Sequence, residues 1–128
     1  MPARDIMTTQ VVTVHPSATL EEAMKLIVEI EISGLIVVDQ NSDIVGVVTE
    51  KDLLVGYDFL CQIKAPIAEF MNRQIISVTE DTPIEEISKL LVQRNILRVP
   101  VVRGKKVVGV VSRRDILRHI LKANKKQT

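Results

Sequence analysis

The chain has 128 residues, enough for one compact domain with a proper core and too few for two independent domains. Nearly half of the residues are apolar, few are aromatic, and a single cysteine excludes an intramolecular disulfide, so we expect an aliphatic core and no disulfide-rich secreted scaffold. The formal net charge is +1, and no apolar run resembles a signal peptide or a membrane helix, which predicts a cytoplasmic protein without membrane attachment.

The first half of the chain predicts the element order βαββα. After the first strand, apolar residues recur at helical spacing on one face of a helix, and Thr19 with Glu22 suits the start of that helix. Two short strands joined by a tight turn and a second helix complete the unit. The strands are expected at Val11–Val14, Leu35–Val38 and Ile44–Thr49, and the closing helix at about Lys51–Leu60.

The second half of the chain predicts the same order. Thr82 to Glu85 is typical of a capping box with Pro83 at the first helical position, so a helix should begin there. The strands are expected at Ile75–Val78, Val99–Val102 and Val107–Ser112, and the closing helix at about Arg114–Lys122.

The two halves are copies of one unit. At an offset of 64, Met7 falls on Met71 and the helical and second-strand residues coincide, and at an offset of 63 Asp52 falls on Asp115. A register held over about forty residues with one gap establishes a duplication, with repeat 1 at about 4–60, repeat 2 at about 68–122 and a basic tail at 123–128. The second and third strands are apolar on consecutive residues, which is typical of strands buried on both faces. We therefore expect an α/β fold in which two βαββα units pack with pseudo-two-fold symmetry around one shared core.

Charge is distributed unevenly between the halves. Residues 1–64 carry four Lys/Arg and ten Asp/Glu, a net −6, whereas residues 65–128 carry thirteen and six, a net +7. This asymmetry favours an anionic partner for the second half. A nucleic acid is one alternative, although aromatic residues do not interleave with the basic ones. The basic end comprises Arg113, Arg114, Arg118, His119, Lys122, Lys125 and Lys126.

Duplicated motifs in each repeat resemble those of the cystathionine-β-synthase (CBS) domain family. Gly46 to Asp52 and Gly109 to Asp115 match its pattern of glycine, two β-branched residues, Ser/Thr, two variable residues and Asp. Arg98 to Val102 is similar to the strand that precedes this pattern, and Asp5 to Thr8 is similar to the start of a CBS motif. The resemblance covers about residues 4–122.

The resemblance implies a tandem CBS pair of the stand-alone bacterial or archaeal type. Such pairs are regulatory modules, not enzymes, and hold AMP, ADP, ATP or S-adenosylmethionine in clefts between the repeats, with no required cofactor. It also implies a homodimer of four motifs and a change of conformation that an unidentified effector protein reads. A purely structural or oligomerisation module is the alternative.

The residues that suit an adenosine ligand lie where the third strand of each repeat meets its closing helix. A carboxylate accepts the ribose hydroxyl protons well, and a helix N-terminus suits a phosphate. The resemblance places Thr49, Asp52, Ser112 and Asp115 in these roles. Ser/Thr-x-x-Asp at a helix start is also an ordinary capping arrangement, so both interpretations stay open.

The second repeat is better equipped for phosphate than the first. Arg98 precedes Val99 and Pro100, where some members of the family have a phosphate-binding arginine, and Arg114 precedes Asp115. The first repeat has glycine and isoleucine where the second has Arg98 and Pro100, so a less anionic ligand or none is expected there. The predicted ligand-binding residues are Thr49, Asp52, Arg98, Pro100, Ser112, Arg114 and Asp115.

Other reactive residues do not form a recognisable site in the sequence. His15 and His119 lack partners at metal-ligand spacing, so no metal is expected. Cys61 lies among apolar residues and is interpreted as a small core residue. No catalytic arrangement of nucleophile, base and acid is present in the pattern.

Overall fold

A computed structural model describes residues 1–125 and gives the predicted α/β element order twice. Each repeat forms a three-stranded sheet in which the first strand is parallel and the third antiparallel to the second. Short 3₁₀ helices precede the repeats at Ala3–Asp5 and Ile67–Glu69. Repeat 1 contains β1 (Thr13–Val14), α1 (Leu20–Ile30), β2 (Gly34–Val38), β3 (Ile44–Thr49) and α2 (Glu50–Leu60). Repeat 2 contains β4 (Val78–Thr79), α3 (Ile84–Gln93), β5 (Arg98–Arg103), β6 (Lys106–Ser112) and α4 (Arg113–Asn124).

Local capping interactions define the starts of the helices, and the capping prediction for α3 is wrong. Thr19 and Glu22 form the expected capping box at the start of α1. At α3, however, Pro83 is the N-cap and no side chain caps the helix. The hydroxyl of Thr82 instead accepts the backbone N–H of Thr79 at 3.0 Å, so the turn before the helix uses the predicted capping group.

Burial differs between the second and third strands. The middle strands β2 and β5 are buried along their interiors, as predicted. The third strands β3 and β6 instead alternate between buried and partly exposed residues, so the expectation that both faces of these strands are buried is wrong. The strands differ in position, because β2 and β5 have a strand on each side, whereas β3 and β6 have a strand on one side and only a single bridge, to Asn72 or Thr8, on the other.

The chain divides into two compact units, each with its own core. One unit comprises Val12–Ile75, and the other combines Met1–Val11 with the residues from Ile76 onward. The buried apolar residues form two clusters, one in each unit, so the predicted single shared core is wrong.

The opening segment of each repeat packs in the unit of the other repeat. Thr8 pairs with Val110 in β6, through bonds of 2.9 Å in both directions. In the other unit, Asn72 pairs in the same way with Val47 in β3, at 2.8 and 3.0 Å. Each unit therefore combines the helices and sheet of one repeat with the segment that opens the other.

Candidate functional site

The start of α4 brings together three of the predicted ligand-binding residues. Arg98 begins β5 and pairs directly with Ser112, the last residue of β6 and the N-cap of α4. Asp115 follows one helical turn later, and only 8% of its surface is exposed. Burial lowers the pKa of Arg98 and the charge of the Asp115 carboxylate opposes this shift, so these two side chains share one electrostatic environment.

Ser112 and Asp115 form a complete capping box. Asp115 Oδ2 accepts the Ser112 backbone N–H at 2.8 Å and its hydroxyl at 3.0 Å, while Ser112 Oγ accepts the Asp115 N–H at 3.2 Å. Asp115 Oδ1 accepts a hydrogen bond from Arg118 Nη1 at 3.0 Å. Both carboxylate oxygens are therefore engaged, and a ribose hydroxyl would have to share Oδ1 with Arg118.

Arg98 carries an unsatisfied donor at the same place. Its Nε atom is buried and has no hydrogen-bond partner among the described residues. Burial lowers the pKa of the guanidinium, since a charge removed from water is disfavoured, and the nearby Asp115 carboxylate opposes this shift. A buried donor without a partner is costly in a folded protein, and a phosphate oxygen is a chemical group that would satisfy it.

Two predicted residues stand apart from this group. Pro100 lies in the buried interior of β5, where it pairs with Val110. Arg114 is exposed on the first turn of α4, and no hydrogen bond or ion pair of its side chain occurs within residues 1–125. Arg114 is therefore accessible to an anion, whereas Pro100 is buried within the strand that begins with Arg98.

Arg113 has a structural role that the sequence did not indicate. Its Nη2 atom donates to the backbone oxygen of Leu91 at 3.2 Å and to Asn95 Oδ1 at 3.3 Å. These bonds tie the start of α4 to the end of α3. The matched residue in repeat 1 is Glu50, so the two repeats carry opposite charges at this position.

The first repeat has the same capping geometry without the arginines. Asp52 Oδ2 accepts the Thr49 backbone N–H at 2.9 Å and its hydroxyl at 3.0 Å. Gly34 pairs opposite Thr49, where the second repeat has Arg98, and Val55 occupies the position that matches Arg118. Thr49 and Asp52 thus lie together where β3 meets α2, and the positions that match Arg98 and Arg118 are not arginines.

A cavity of about 480 Å³ lies in the second repeat's unit, beside the Asp115–Arg118 ion pair. His119 contributes to its wall, a role that the sequence analysis missed. In the other unit the matching position is Gly56, and a Cβ there would meet the Phe70 ring at 2.9 Å, so an aromatic side chain occupies that place. The cavity is lined by Met1, Asp5, Ile6, Met7, Asp115, Arg118, His119, Lys122 and Ala123.

The remaining candidates lie elsewhere, and one prediction about them is wrong. Cys61 is exposed and caps the C-terminus of α2 with φ of 51°, so it is not a core residue. His15 Nδ1 bonds Ser17 Oγ at 2.8 Å. Within residues 1–125, no group of three or more His, Cys, Asp and Glu side chains could hold a metal. The same residues contain no helix that is long and apolar enough to cross a membrane.

Comparison with known proteins gives a consistent family match. The family model described as CBS domain matches residues 3–57 and 67–122. The CBS domain-containing protein YhcV from Bacillus subtilis is 31% identical over 118 residues, covering 88% of this chain and 81% of that protein. L-aspartate semialdehyde sulfurtransferase from Methanocaldococcus jannaschii is 34% identical over 116 residues, or 90% of this chain, which spans only 22% of that enzyme.

Two ligand complexes are among the similar solved structures. CBSX2 in complex with AMP has a TM-score of 0.87 at 28% identity, and the match covers 96% of this chain and 98% of that one. The CBS domain pair of MJ0100 in complex with 5'-methylthioadenosine and S-adenosyl-L-methionine has a TM-score of 0.83 at 31% identity, with coverage of 96% and 98%.

Proposed function

Since this chain belongs to the CBS domain family, as a tandem pair, we propose that it is a regulatory module that binds an adenosine-type ligand and does not catalyse a reaction. The candidate ligands are AMP, ADP, ATP and S-adenosylmethionine. CBSX2 binds AMP and the MJ0100 pair binds 5'-methylthioadenosine and S-adenosylmethionine, and both structures match nearly the whole of this chain. The ligand would act inside the cell by shifting the population of two conformations that an effector protein distinguishes.

The unpartnered Nε atom of Arg98 is the observation that carries this proposal. It lies beside the N-terminus of α4, where the helix dipole also favours an anion. Asp115 stands one turn along as an acceptor for the ribose, and Arg114 offers an exposed positive charge. A nucleotide phosphate held by Arg98, with its ribose at Asp115, uses each of these groups.

We assign the dominant site to the second repeat. The start of α2 supplies Thr49 and Asp52 but has Gly34 in place of the arginine. A ligand with less negative charge, such as adenosine or S-adenosylmethionine, suits that end better than AMP or ATP.

Isothermal titration calorimetry with each candidate ligand tests the proposal. We expect a saturable exothermic response to at least one adenine nucleotide, with lower affinity for the matching guanine nucleotide. Absence of binding by every adenine nucleotide and by S-adenosylmethionine would refute it.

A purely structural module is the second candidate, because the capping boxes account fully for Thr49, Asp52, Ser112 and one oxygen of Asp115 without any ligand. It does not account for the buried Nε donor of Arg98, nor for that of Arg113, which also has no partner within residues 1–125. Nucleic-acid binding has weaker support, since Arg113 and Arg118 are engaged within the chain and Lys126 lies outside the described residues.

We further propose that the module is a homodimer. Each unit leaves large apolar side chains exposed on its helices, and a closed two-fold dimer is the commonest way to cover such a surface. Light scattering at tens of micromolar should give twice the monomer mass, and a monomer would refute this part of the proposal.

A further inference from the structure

The cavity beside α4 carries basic groups that the first repeat lacks. Arg118, His119 and Lys122 line it from one side of the helix. The residues of α2 that match these three, at an offset of 63, are Val55, Gly56 and Phe59. Since the two helices are copies of one unit, the basic lining of the cavity is specific to the second repeat.

This cavity is separate from the residues that surround Arg98. It lies within the unit that contains repeat 2, and its described lining includes Asp115 but neither Arg98 nor Arg114. Its volume of about 480 Å³ falls within the range of about 300–1,000 Å³ that small-molecule sites occupy. The cavity is therefore a second place at which a ligand could bind.

Three ionisable side chains in the lining are available to a ligand. Asp5, His119 and Lys122 make no side-chain hydrogen bond or ion pair within residues 1–125. A ligand that suits them must accept hydrogen bonds from the basic groups and donate one to the Asp5 carboxylate.

Inorganic phosphate meets both requirements, because at neutral pH it is an anion that keeps at least one proton. Sulfate keeps none and would be repelled by Asp5. A phosphate monoester has a second pKa of about 6, so at neutral pH it has mostly lost the proton that Asp5 would accept. The combination of basic groups with a carboxylate therefore favours free phosphate over these two anions.

We propose that the cavity binds inorganic phosphate and that the bound phosphate frees Asp115 to accept the ribose of an adenosine ligand. Arg118 links the two events, because its Nη1 atom donates to Asp115 Oδ1 at 3.0 Å while the same side chain lines the cavity. The Arg118 side chain is 56% exposed, so burial does not hold it in place. Phosphate in the cavity competes for this guanidinium, since arginine forms strong bidentate hydrogen bonds with phosphate.

Phosphate and adenosine should therefore bind cooperatively. Release of Asp115 Oδ1 from a partly exposed ion pair should raise adenosine affinity by about 1.4- to five-fold. Linkage is reciprocal, so adenosine should raise phosphate affinity by the same factor. This coupling rests on the proposed function, whereas phosphate binding does not.

Phosphorus NMR of inorganic phosphate tests the site, with chloride holding the ionic strength constant. We expect saturable broadening that sulfate and glycerol phosphate displace poorly. Lys122→Gln should weaken phosphate binding by up to about five-fold. The matched control is Lys89→Gln, which removes the same charge from an exposed position on α3 outside the cavity and should have no effect. Arg98→Gln should also keep phosphate binding, which separates the cavity from the Arg98 site.

Asp5→Asn tests the role of the phosphate proton. Loss of the charged acceptor should reduce the preference for phosphate over sulfate by about two- to ten-fold. Sulfate that binds the wild type as tightly as phosphate would overturn the assignment to phosphate. So would the absence of saturable broadening, or equal losses in Lys122→Gln and Lys89→Gln.

Calorimetry of adenosine with and without saturating phosphate tests the coupling. Phosphate should tighten adenosine binding to the wild type, whereas Arg118→Val should bind adenosine equally in both conditions. An adenosine affinity that phosphate lowers or leaves unchanged in the wild type would overturn the link through Arg118. Adenosine that binds in neither condition would overturn the coupling through failure of the proposed function, while the NMR result would still decide the phosphate site.

Discussion

The Sδ atom of Met7 fills the space in which a side chain at Gly109 would begin. A Cβ on Gly109 would lie 2.6 Å from that sulfur and 3.1 Å from the Thr8 backbone oxygen. The other unit repeats the relationship, since a Cβ on Gly46 would lie 2.8 Å from Met71 Sδ. The opening segment of the other repeat crosses the strand at this point and leaves no room for a side chain. The duplicated motif therefore needs a glycine here.

Substitution of Gly109 by alanine should destabilise the protein by about 1–3 kcal/mol, because an added methyl group overfills a packed contact. Urea denaturation followed by circular dichroism measures the loss. Combining Gly109→Ala with Met7→Ala should cost less than the sum of the single changes, since the shorter side chain makes room. Additive losses would show that Met7 is not what excludes the side chain.

Gly104→Ala is the matched control for this prediction. No atom lies within 4 Å of a Cβ at that position, and the cost there comes only from its positive φ of 65°. Replacement of Met7 should not relieve that cost.

Asp115→Ala should lower the stability of the ligand-free protein by about 0.5–2 kcal/mol through loss of the capping box. Asp52→Ala should have a similar effect at α2. Nucleotide at one hundred times its dissociation constant stabilises the wild-type protein by about 2.7 kcal/mol and so raises its melting temperature. The two variants should differ in the size of this rise. Asp115→Ala should lose most of this shift and Asp52→Ala should keep most of it. An equal melting decrease with and without nucleotide would show that Asp115 is only a cap.

Arg118→Val, which copies the residue at position 55, should tighten the binding of adenosine. The substitution frees Asp115 Oδ1 from its ion pair, and partly exposed pairs of this kind contribute about 0.2–1 kcal/mol, equivalent to roughly 1.4- to five-fold in affinity. Calorimetry with uncharged adenosine separates this effect from attraction between Arg118 and phosphate. Weaker adenosine binding by the variant would show that Arg118 assists Asp115 instead.

The stability contributed by Glu80 should disappear in acid. Arg103 donates to both carboxylate oxygens, at 2.8 and 3.0 Å, and these hydrogen bonds lower the pKa of Glu80. A group whose pKa is lower in the folded than in the unfolded protein stabilises the fold at pH values above its unfolded-state pKa. This stabilisation is lost as the pH falls. The melting difference between wild type and Glu80→Gln should therefore be largest above about pH 5 and shrink toward pH 3. A difference that grows in acid would contradict this assignment.

The element order could be predicted because each element depends on local pattern. The apolar spacing of α1, the turn after β2 and the Thr19 box are local features, and each agrees with the structure. The exchange of opening segments depends on long-range contacts such as that between Met7 and Gly109, for which the sequence has no local pattern. For the same reason the expectation of a single core was wrong, as was the burial assigned to β3 and β6.

The candidate site was predictable only in part. The sequence indicated Arg98, Ser112 and Asp115, and the structure places them at one end of β5 and β6. It gave no reason to connect Arg118 with Asp115, although an i,i+3 spacing on a helix permits such a pair. It also assigned Cys61 to the core from its apolar neighbours, whereas the residue ends α2 in a left-handed conformation at the surface.

The most direct test of nucleotide binding compares AMP with adenosine in wild type and Arg98→Gln by calorimetry. The Nε atom of Arg98 has no hydrogen-bond partner within residues 1–125, so the substitution should leave the fold intact, which circular dichroism can verify. A hydrogen bond to a charged phosphate contributes about 1.5–3 kcal/mol, so AMP affinity should fall about ten- to one-hundred-fold. Adenosine affinity should change less than about two-fold, because adenosine lacks the phosphate. Equal losses for both ligands, or unchanged AMP binding, would contradict the account.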